Sequence, residues 1–250
     1  AGKKVYEKYP DKFPLLIKFL DVNDRLSIQV HPSDEVAMKK HNEFGKSESW
    51  YIVYASDDAT LILGTKPGVT KEKFLEKVKN NDFSDLFEER SVKTGDFIDI
   101  TPGTVHASLK GSVIFAEIQQ SSDVTYRIYD FDRIDKDGKK RELHLDNAAD
   151  VIDFEKKVEI KNTNFQNGEN KKNIIKNEFY SIDKIKILNS YEDFCSESMI
   201  IYTVLDGNGK VFWNENEFLE LKKGENILIP VDLKVRLEGN FEILRTTIEE

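Results

Sequence analysis

The sequence predicts an all-β protein, a sandwich or barrel made of two β units, with a helical insertion around residues 70–90. Three observations carry this. Short runs of β-branched and aromatic residues recur at near-regular spacing, separated by Gly, Pro, Asn and Asp turns. Between Thr70 and Arg90 the period changes: Phe74, Leu75, Val78, Phe83, Leu86 and Phe87 recur at helical spacing, with Lys and Glu between them. One pattern occurs twice, as Thr94-Gly95-Asp96-Phe97-Ile98-Asp99-Ile100-Thr101-Pro102 and as Lys223-Gly224-Glu225-Asn226-Ile227-Leu228-Ile229-Pro230. Both run turn, apolar strand, proline, as two copies of one β unit would.

The elements follow in order. Residues 1–13 are basic and aromatic and read as a lead-in segment. Phe13–Leu20 is an apolar run of strand length, Asp21–Asp24 a turn, and Arg25–Val30 a strand stopped by Pro32. Ser33 then caps a helix, with Asp34 and Glu35 in its first turn and Lys39, Lys40 and His41 at its end, where each charge suits the helix dipole. Ser49–Tyr54, Thr60–Gly64, Phe97–Ile100, Ser112–Gln120 and Thr125–Phe131 read as strands, with Thr101–Thr104 as a Pro-Gly turn. Asp135–Lys140 and Lys161–Asn173 are polar, Gly-containing breaks. Beyond them come Lys184–Leu188, Met199–Leu205, a turn at Asp206–Gly209, Lys210–Trp213, Glu217–Leu221, Asn226–Ile229, Leu233–Leu237 and Phe241–Thr247. The expected division is residues 1–145 as one unit and 146–250 as a second β-sandwich. All four histidines lie at or before His144, so the second unit offers no imidazole to a metal.

Composition removes several classes of function. A net charge of -9 leaves no excess of Lys and Arg to neutralise a nucleic-acid backbone, although a small phosphorylated ligand needs only a few local cations. The single cysteine, Cys195, excludes an internal disulfide and fits the reducing cytoplasm. No apolar run approaches the ~18 residues of a membrane span, and no signal peptide is visible. The expected partner is a small molecule, with the chain a monomer or weak homodimer.

The chemistry gathers at Ser27-Ile28-Gln29-Val30-His31-Pro32. Strand side chains alternate, so Gln29 and His31 share a face. A lone strand histidine is more often structural than ligating. Here Glu48 stands at the mouth of the Trp50–Tyr54 strand and His106 follows the Pro-Gly turn. Together Gln29, His31, Glu48 and His106 supply two imidazoles, a carboxylate and an amide, all near strand ends. Three or four protein ligands with a position left open is the catalytic arrangement of a metal site.

At this point the residues carry a resemblance. Gln29-Val30-His31-Pro32, Gly45-Lys46-Ser47-Glu48-Ser49-Trp50-Tyr51, Pro102-Gly103-Thr104-Val105-His106-Ala107 and Thr125-Tyr126-Arg127-Ile128-Tyr129-Asp130-Phe131-Asp132-Arg133 resemble, in order, the motifs of type I mannose-6-phosphate isomerases of the short bacterial form. The resemblance is strong over residues 13–133 and one of layout beyond. It implies a cupin-type jelly roll, one Zn2+ bound by Gln29, His31, Glu48 and His106, and interconversion of mannose 6-phosphate and fructose 6-phosphate. Family members carry several dozen more residues before the segment matching Pro14–Ile17, so a site short of part of one wall is expected.

Aldose–ketose isomerisation moves a proton between C1 and C2 through an enediol, and it needs a base, charge stabilisation and a grip on phosphate. Glu117 shares an apolar strand face with Val113 and Phe115, where desolvation raises a carboxyl pKa toward the useful range. On the residues alone, a base and a buried glutamate paired with Arg127 are equal readings; the resemblance favours the base, with Lys46 a competitor. Arg127, set among aromatics, is costly to bury without an anion, and the resemblance assigns it to charge stabilisation or the sugar phosphate. Ser27 and Arg133 are further substrate-binding candidates. Two alternatives compete with the isomerase: an iron dioxygenase, since two histidines and a carboxylate also suit non-haem iron, and a non-catalytic sugar-binding cupin.

Overall fold

The apolar runs of the first half become ten strands. In a computed structural model, which describes residues 1–134 and 136–248, these are β1 (Leu15–Val22), β2 (Ile28–Val30), β3 (Glu48–Ala55), β4 (Thr60–Thr65), β5 (Phe87–Ser91), β6 (Asp96–Ile100), β7 (His106–Lys110), β8 (Val113–Gln120), β9 (Tyr126–Tyr129) and β10 (Ile160–Asn162). They form two five-stranded sheets, ordered β1-β8-β3-β6-β10 and β5-β4-β7-β2-β9. Every pairing is antiparallel. The architecture is the predicted all-β one. Asp135, inside the first polar break, lies outside the described residues.

Alternation along each strand decides what faces what. Trp50 and Ile52 of β3, Ile98 of β6 and Phe115 of β8 join Leu61 and Leu63 of β4 in one buried cluster, so the two sheets share a core. The Trp50 and Phe115 rings stack there at 4.3 Å, and fully burying each such side chain contributes about 1.5–3 kcal/mol. The opposite face of the second sheet is covered as well. Ile28, Val30, Tyr126 and Ile128 pack with Phe74 and Val78 of one helix and Ala148 and Ala149 of another. Because Ile28 and Val30 point to that layer, Gln29 points to the space between the sheets.

The helices are shorter than the periodicity suggests. After α1 (Lys3–Lys8) comes α2 (Asp34–His41), capped by the Ser33 hydroxyl as expected. The insertion helix α3 spans Lys71–Lys79, with Thr70 as its cap. It does not continue to residue 90. Asn81 and Asp85 take positive φ, and Phe87–Ser91 pairs with β4 as an edge strand. Helical spacing through Leu86 and Phe87 arises because both are buried by the turn that returns the chain to the sheet. The last helix, α4 (Leu145–Val151), buries Ala148 and Ala149 against the second sheet. Among the described residues no helix is long and apolar enough to cross a membrane.

The chain divides at Asn162 rather than Leu145. Leu15–Asn162 is one unit, and Ala1–Pro14 joins the chain from Thr163 onward in the other. Two contacts move the boundary: α4 belongs to the first core, and Ile160–Asn162 pairs with β6. The lead-in residues belong to the second unit through a Met199 N–H to Ala1 carbonyl bond of 2.9 Å and a Lys4–Glu197 ion pair of 2.6 Å.

Among the described residues the second unit has six strands: β11 (Lys171–Lys176), β12 (Tyr180–Asp193), β13 (Ile200–Phe212), β14 (Phe218–Lys222), β15 (Asn226–Ile229) and β16 (Val235–Ile248). They run β11-β12-β16-β13-β14, with β15 also on β13. Hydrogen bonding makes this one continuous sheet rather than two. Asp206–Gly209 does not turn the chain; the register slips between Val204 and Asp206 and β13 continues. Gly209 permits the bend, since a Cβ there would meet the Glu238 carbonyl oxygen at 2.6 Å and collide with the Phe241 ring. Both halves of β13 supply the same core, Tyr202 and Val204 from one and Val211 from the other, so the sheet folds over its own apolar face.

Candidate metal centre

Three of the four proposed ligands meet. Gln29 lies on β2, His31 just beyond its end, Glu48 opens β3 and His106 opens β7. Glu48 thus comes from the first sheet and the others from the second. Within the second sheet Gln29 is directly opposite both His106 and Arg127. The His31, Glu48 and His106 ligand atoms all lie within 4.8 Å of one another, fully buried. His31 Nε2 is 3.4 Å from Glu48 Oε2 and His106 Nε2 is 3.1 Å from Glu48 Oε1. A tetrahedral ion with bonds of ~2.0–2.2 Å sets its ligands about 3.4 Å apart.

The second contacts of the imidazoles fix which nitrogens face inward. His31 Nδ1 lies 3.1 Å from the Val124 carbonyl oxygen, and His106 Nδ1 lies 2.9 Å from that of Thr104. A carbonyl only accepts, so each Nδ1 carries a proton and each ring turns its Nε2 to the cluster. The Pro-Gly turn serves both histidines, because Gly103 N–H also bonds the His31 carbonyl at 2.9 Å. Burial, and next the Lys46 charge, lower the His31 pKa to about 4, so the ring is neutral at pH 7. Burial alone would raise Glu48; Lys46 and the two imidazoles overcome it and hold the carboxyl well below its usual range.

Gln29 approaches with the other end of its amide. Its Nε2 lies 3.1 Å from His106 Nε2, and its Oε1 accepts from the Ser27 hydroxyl at 3.4 Å. Ligation through oxygen requires the amide to make a half-turn, which exchanges its oxygen and nitrogen. His31 Nε2 and both Glu48 oxygens have no hydrogen-bond partner, although Lys46 Nζ stands 3.2 Å from Glu48 Oε2. Buried lone pairs aimed at one point are the donor set that a cation satisfies, so these residues fit a zinc ion.

Glu117 stands beside this cluster on β8. It is directly opposite both Trp50 and Lys18 in the ladder. Trp50 Nε1 donates to Glu117 Oε2 at 2.9 Å, and Lys18 Nζ pairs with Oε1 at 2.5 Å. The partner is therefore Lys18, not Arg127. Burial, then the Glu48 charge, push the Glu117 carboxyl up, against Lys46 and Lys18. Reading the sequence missed Lys18, whose signal was a lone cation inside the apolar run Leu15–Leu20.

Arg127 donates from Nη1 to the Glu142 carbonyl at 3.0 Å, while its Nε is buried without a partner. Burial, then the nearby Arg141 charge, lower its pKa, against Asp130. His144, half-buried, accepts from the Arg127 backbone N–H at 3.2 Å. Arg133 is committed elsewhere. Its Nη2 meets Asp130 at 2.5 Å and its Nη1 donates to the Arg25 carbonyl at 2.8 Å. Arg141 closes on the same carboxylate, with Nε at 2.8 Å.

Comparison with known proteins bears on this geometry. Residues 1–51, which hold Gln29, His31, Lys46 and Glu48, match the model for the type I phosphomannose isomerase catalytic domain. Residues 170–248 match that for the mannose-6-phosphate isomerase cupin domain. The chain is 35% identical over 242 residues to the probable mannose-6-phosphate isomerase GmuF of Bacillus subtilis, covering 94% of this chain and 76% of that protein. The chain belongs to the mannose-6-phosphate isomerase family. It is also 35% identical over 240 residues to the mannose-6-phosphate isomerase of Streptococcus mutans, covering 95% of this chain and 75% of the other. The crystal structure of the Bacillus subtilis mannose 6-phosphate isomerase superposes with a TM-score of 0.85 at 31% identity, over 97% of this chain and 80% of that one. The mannose-6-phosphate isomerase cupin fold is thus shown for this chain by sequence and by structure.

Proposed function

We propose that this chain interconverts mannose 6-phosphate and fructose 6-phosphate, with Gln29, His31, Glu48 and His106 holding a zinc ion. The observation that carries the reading is the buried His31–Glu48–His106 cluster, in which His31 Nε2 and both Glu48 oxygens lack hydrogen-bond partners. Family membership supports the substrate pair. A zinc ion bound there would supply a Lewis acid for the sugar's carbonyl and hydroxyl oxygens.

The chain's own groups do the rest. Glu117, with a pKa raised by burial, takes the proton from one carbon and returns it to the other. Trp50 and Lys18 hold its two oxygens in place. Lys46, buried beside Glu48, is the rival proton carrier and otherwise stabilises developing negative charge. Arg127 receives the phosphate or the enediol oxygens through its uncommitted Nε. Ser27 orients the Gln29 amide rather than reaching substrate, and Arg133 is secondary because its donors are spent on Asp130 and Arg25.

The test is turnover of mannose 6-phosphate with zinc, after chelation, and after zinc is restored. Loss on chelation and recovery with zinc are expected. A zinc-loaded but inert protein overturns the isomerase and leaves a sugar-binding cupin. Stoichiometric iron with oxygen-dependent turnover overturns it in favour of a dioxygenase.

A further inference from the structure

Lys46 is held by a device outside the cluster. The loop Gly45-Lys46-Ser47 enters β3 with every backbone N–H bonded. Gly45 N–H donates to Asp34 Oδ1 at 2.7 Å, Lys46 N–H to the Pro32 carbonyl at 3.1 Å, and Ser47 N–H to Gln120 Oε1 at 2.8 Å. Gln120 Nε2 then closes the ring by donating to the same Asp34 Oδ1, at 3.1 Å. Asp34 lies in the first turn of α2, three residues after His31, and Gln120 is the last residue of β8, three after Glu117. Gln120 is buried, so both ends of its amide must find partners.

Gly45 makes the seat tight. A Cβ there would lie 2.7 Å from the Pro32 carbonyl oxygen and collide with the backbone of Ser33 and Asp34. The loop is therefore pressed onto the junction that follows His31. Lysine has a flexible four-carbon stem, and ordering it costs about 1.5–2 kcal/mol of rotamer freedom. Fixing the backbone on both sides of Lys46 narrows where its ammonium can reach, which is the requirement for a group acting beside the reacting atoms.

We propose that Asp34 and Gln120 are positioning residues for Lys46, a two-residue clamp that aims its ammonium into the centre. This rests on the isomerase reading of the site. Neither residue touches the cluster, so neither is catalytic. Gln120→Leu removes both hydrogen bonds of the amide, and Asp34→Ala removes the acceptor shared by Gly45 and Gln120. Asp34→Asn keeps an oxygen for both and is the rescuing variant.

Steady-state kinetics, zinc content and hydrogen exchange of the Lys46 amide test the clamp together. The Lys46 amide is informative because its acceptor, the Pro32 carbonyl, is altered by none of the variants. In Gln120→Leu and Asp34→Ala its exchange should quicken about tenfold. In the same variants kcat should fall about ten- to a hundredfold, with KM within about threefold and zinc retained. Asp34→Asn should stay near wild type, and the double variant Asp34→Ala with Gln120→Leu should be little worse than either single one. Unchanged Lys46 exchange overturns the clamp, whether or not the wild type turns over. Zinc lost in step with kcat overturns the assignment to Lys46 and makes the pair a support of the metal ligands. An inert wild type with quickened exchange in the variants overturns the isomerase reading and leaves the clamp standing.

Discussion

Trp50 donates its indole N–H to Glu117 across the β3–β8 ladder at 2.9 Å, while Lys18 meets the other oxygen of that carboxylate from β1. Three adjacent strands thus present donor, acid and cation in one row. A carboxylate so anchored is oriented, and the Lys18 charge does not cancel the upward push of burial and Glu48 on its pKa. Glu117→Gln keeps both shape and burial but cannot carry a proton. It should retain zinc and lose about 10²–10⁴-fold in kcat, measured by mannose 6-phosphate turnover alongside metal analysis. A rate near wild type would hand the proton to Lys46.

The same row predicts a pH effect. Lys18 opposes the upward push on Glu117 by favouring its ionised form. Lys18→Met removes that opposition, so the Glu117 pKa rises further. Activity needs the carboxylate, which forms as pH rises through that pKa. The acid limb of kcat should therefore move to higher pH in Lys18→Met, with the plateau less affected. A limb that stays in place, or moves to lower pH, contradicts Glu117 as the titrating base.

His31 tests the metal. Its Nδ1 is taken by the Val124 carbonyl and its Nε2 has no hydrogen-bond partner. His31→Ala should lose zinc and turnover together, where zinc content is the decisive reading. Chelating the wild type should lower Tm as well. An ion present at about a hundredfold its Kd adds about 2.7 kcal/mol to stability, or roughly 5–10 °C for a unit of this size. Zinc retained by His31→Ala would refute the ligand assignment.

These residues differ in how far the sequence revealed them. Gln29 and His31 were legible because alternation on one short strand is local, and Ser33 because a cap is read within four residues. The Lys18–Glu117 pair was not, since it depends on a β1–β8 register joining positions 99 residues apart. Asp206–Gly209 misled for a physical reason: glycine at a sharp bend within a strand and glycine in a turn serve the same need for close backbone approach. The Leu145 boundary failed because composition marks a polar loop but not which core the following helix joins.

Arg127 carries the phosphate prediction. Its Nη1 is held by the Glu142 carbonyl and its Nε is buried and free of partners, so the guanidinium is placed but not satisfied. Arg127→Met keeps most of the stem and removes the donors. KM for mannose 6-phosphate should rise about tenfold or more, since hydrogen bonds to charged groups contribute about 1.5–3 kcal/mol. Inhibition by inorganic phosphate should weaken in parallel. Unchanged phosphate inhibition with a lowered kcat would instead put Arg127 against the developing enediol charge.

A last prediction separates the two units. In the second, Asp193 accepts from the Tyr202 hydroxyl at 2.6 Å and from Arg245 Nε at 2.7 Å. Its side chain is 6% exposed, so that oxygen, Oδ2, depends on both donors, while Phe194 N–H serves the other at 2.8 Å. Arg245→Leu strands a buried charge and should cost about 3–5 kcal/mol; Tyr202→Phe removes one hydrogen bond and should cost about 1–2 kcal/mol. Adding Asp193→Asn to Arg245→Leu should recover part of the loss, because the charge that needed a partner is gone. Urea unfolding reads all three. Zinc content should not change in any of them, since every proposed ligand lies within Leu15–Asn162. Loss of zinc in Arg245→Leu would place a determinant of the metal centre in the second unit, and equal costs for Arg245→Leu and Tyr202→Phe would mean that Asp193 is not held as a charge.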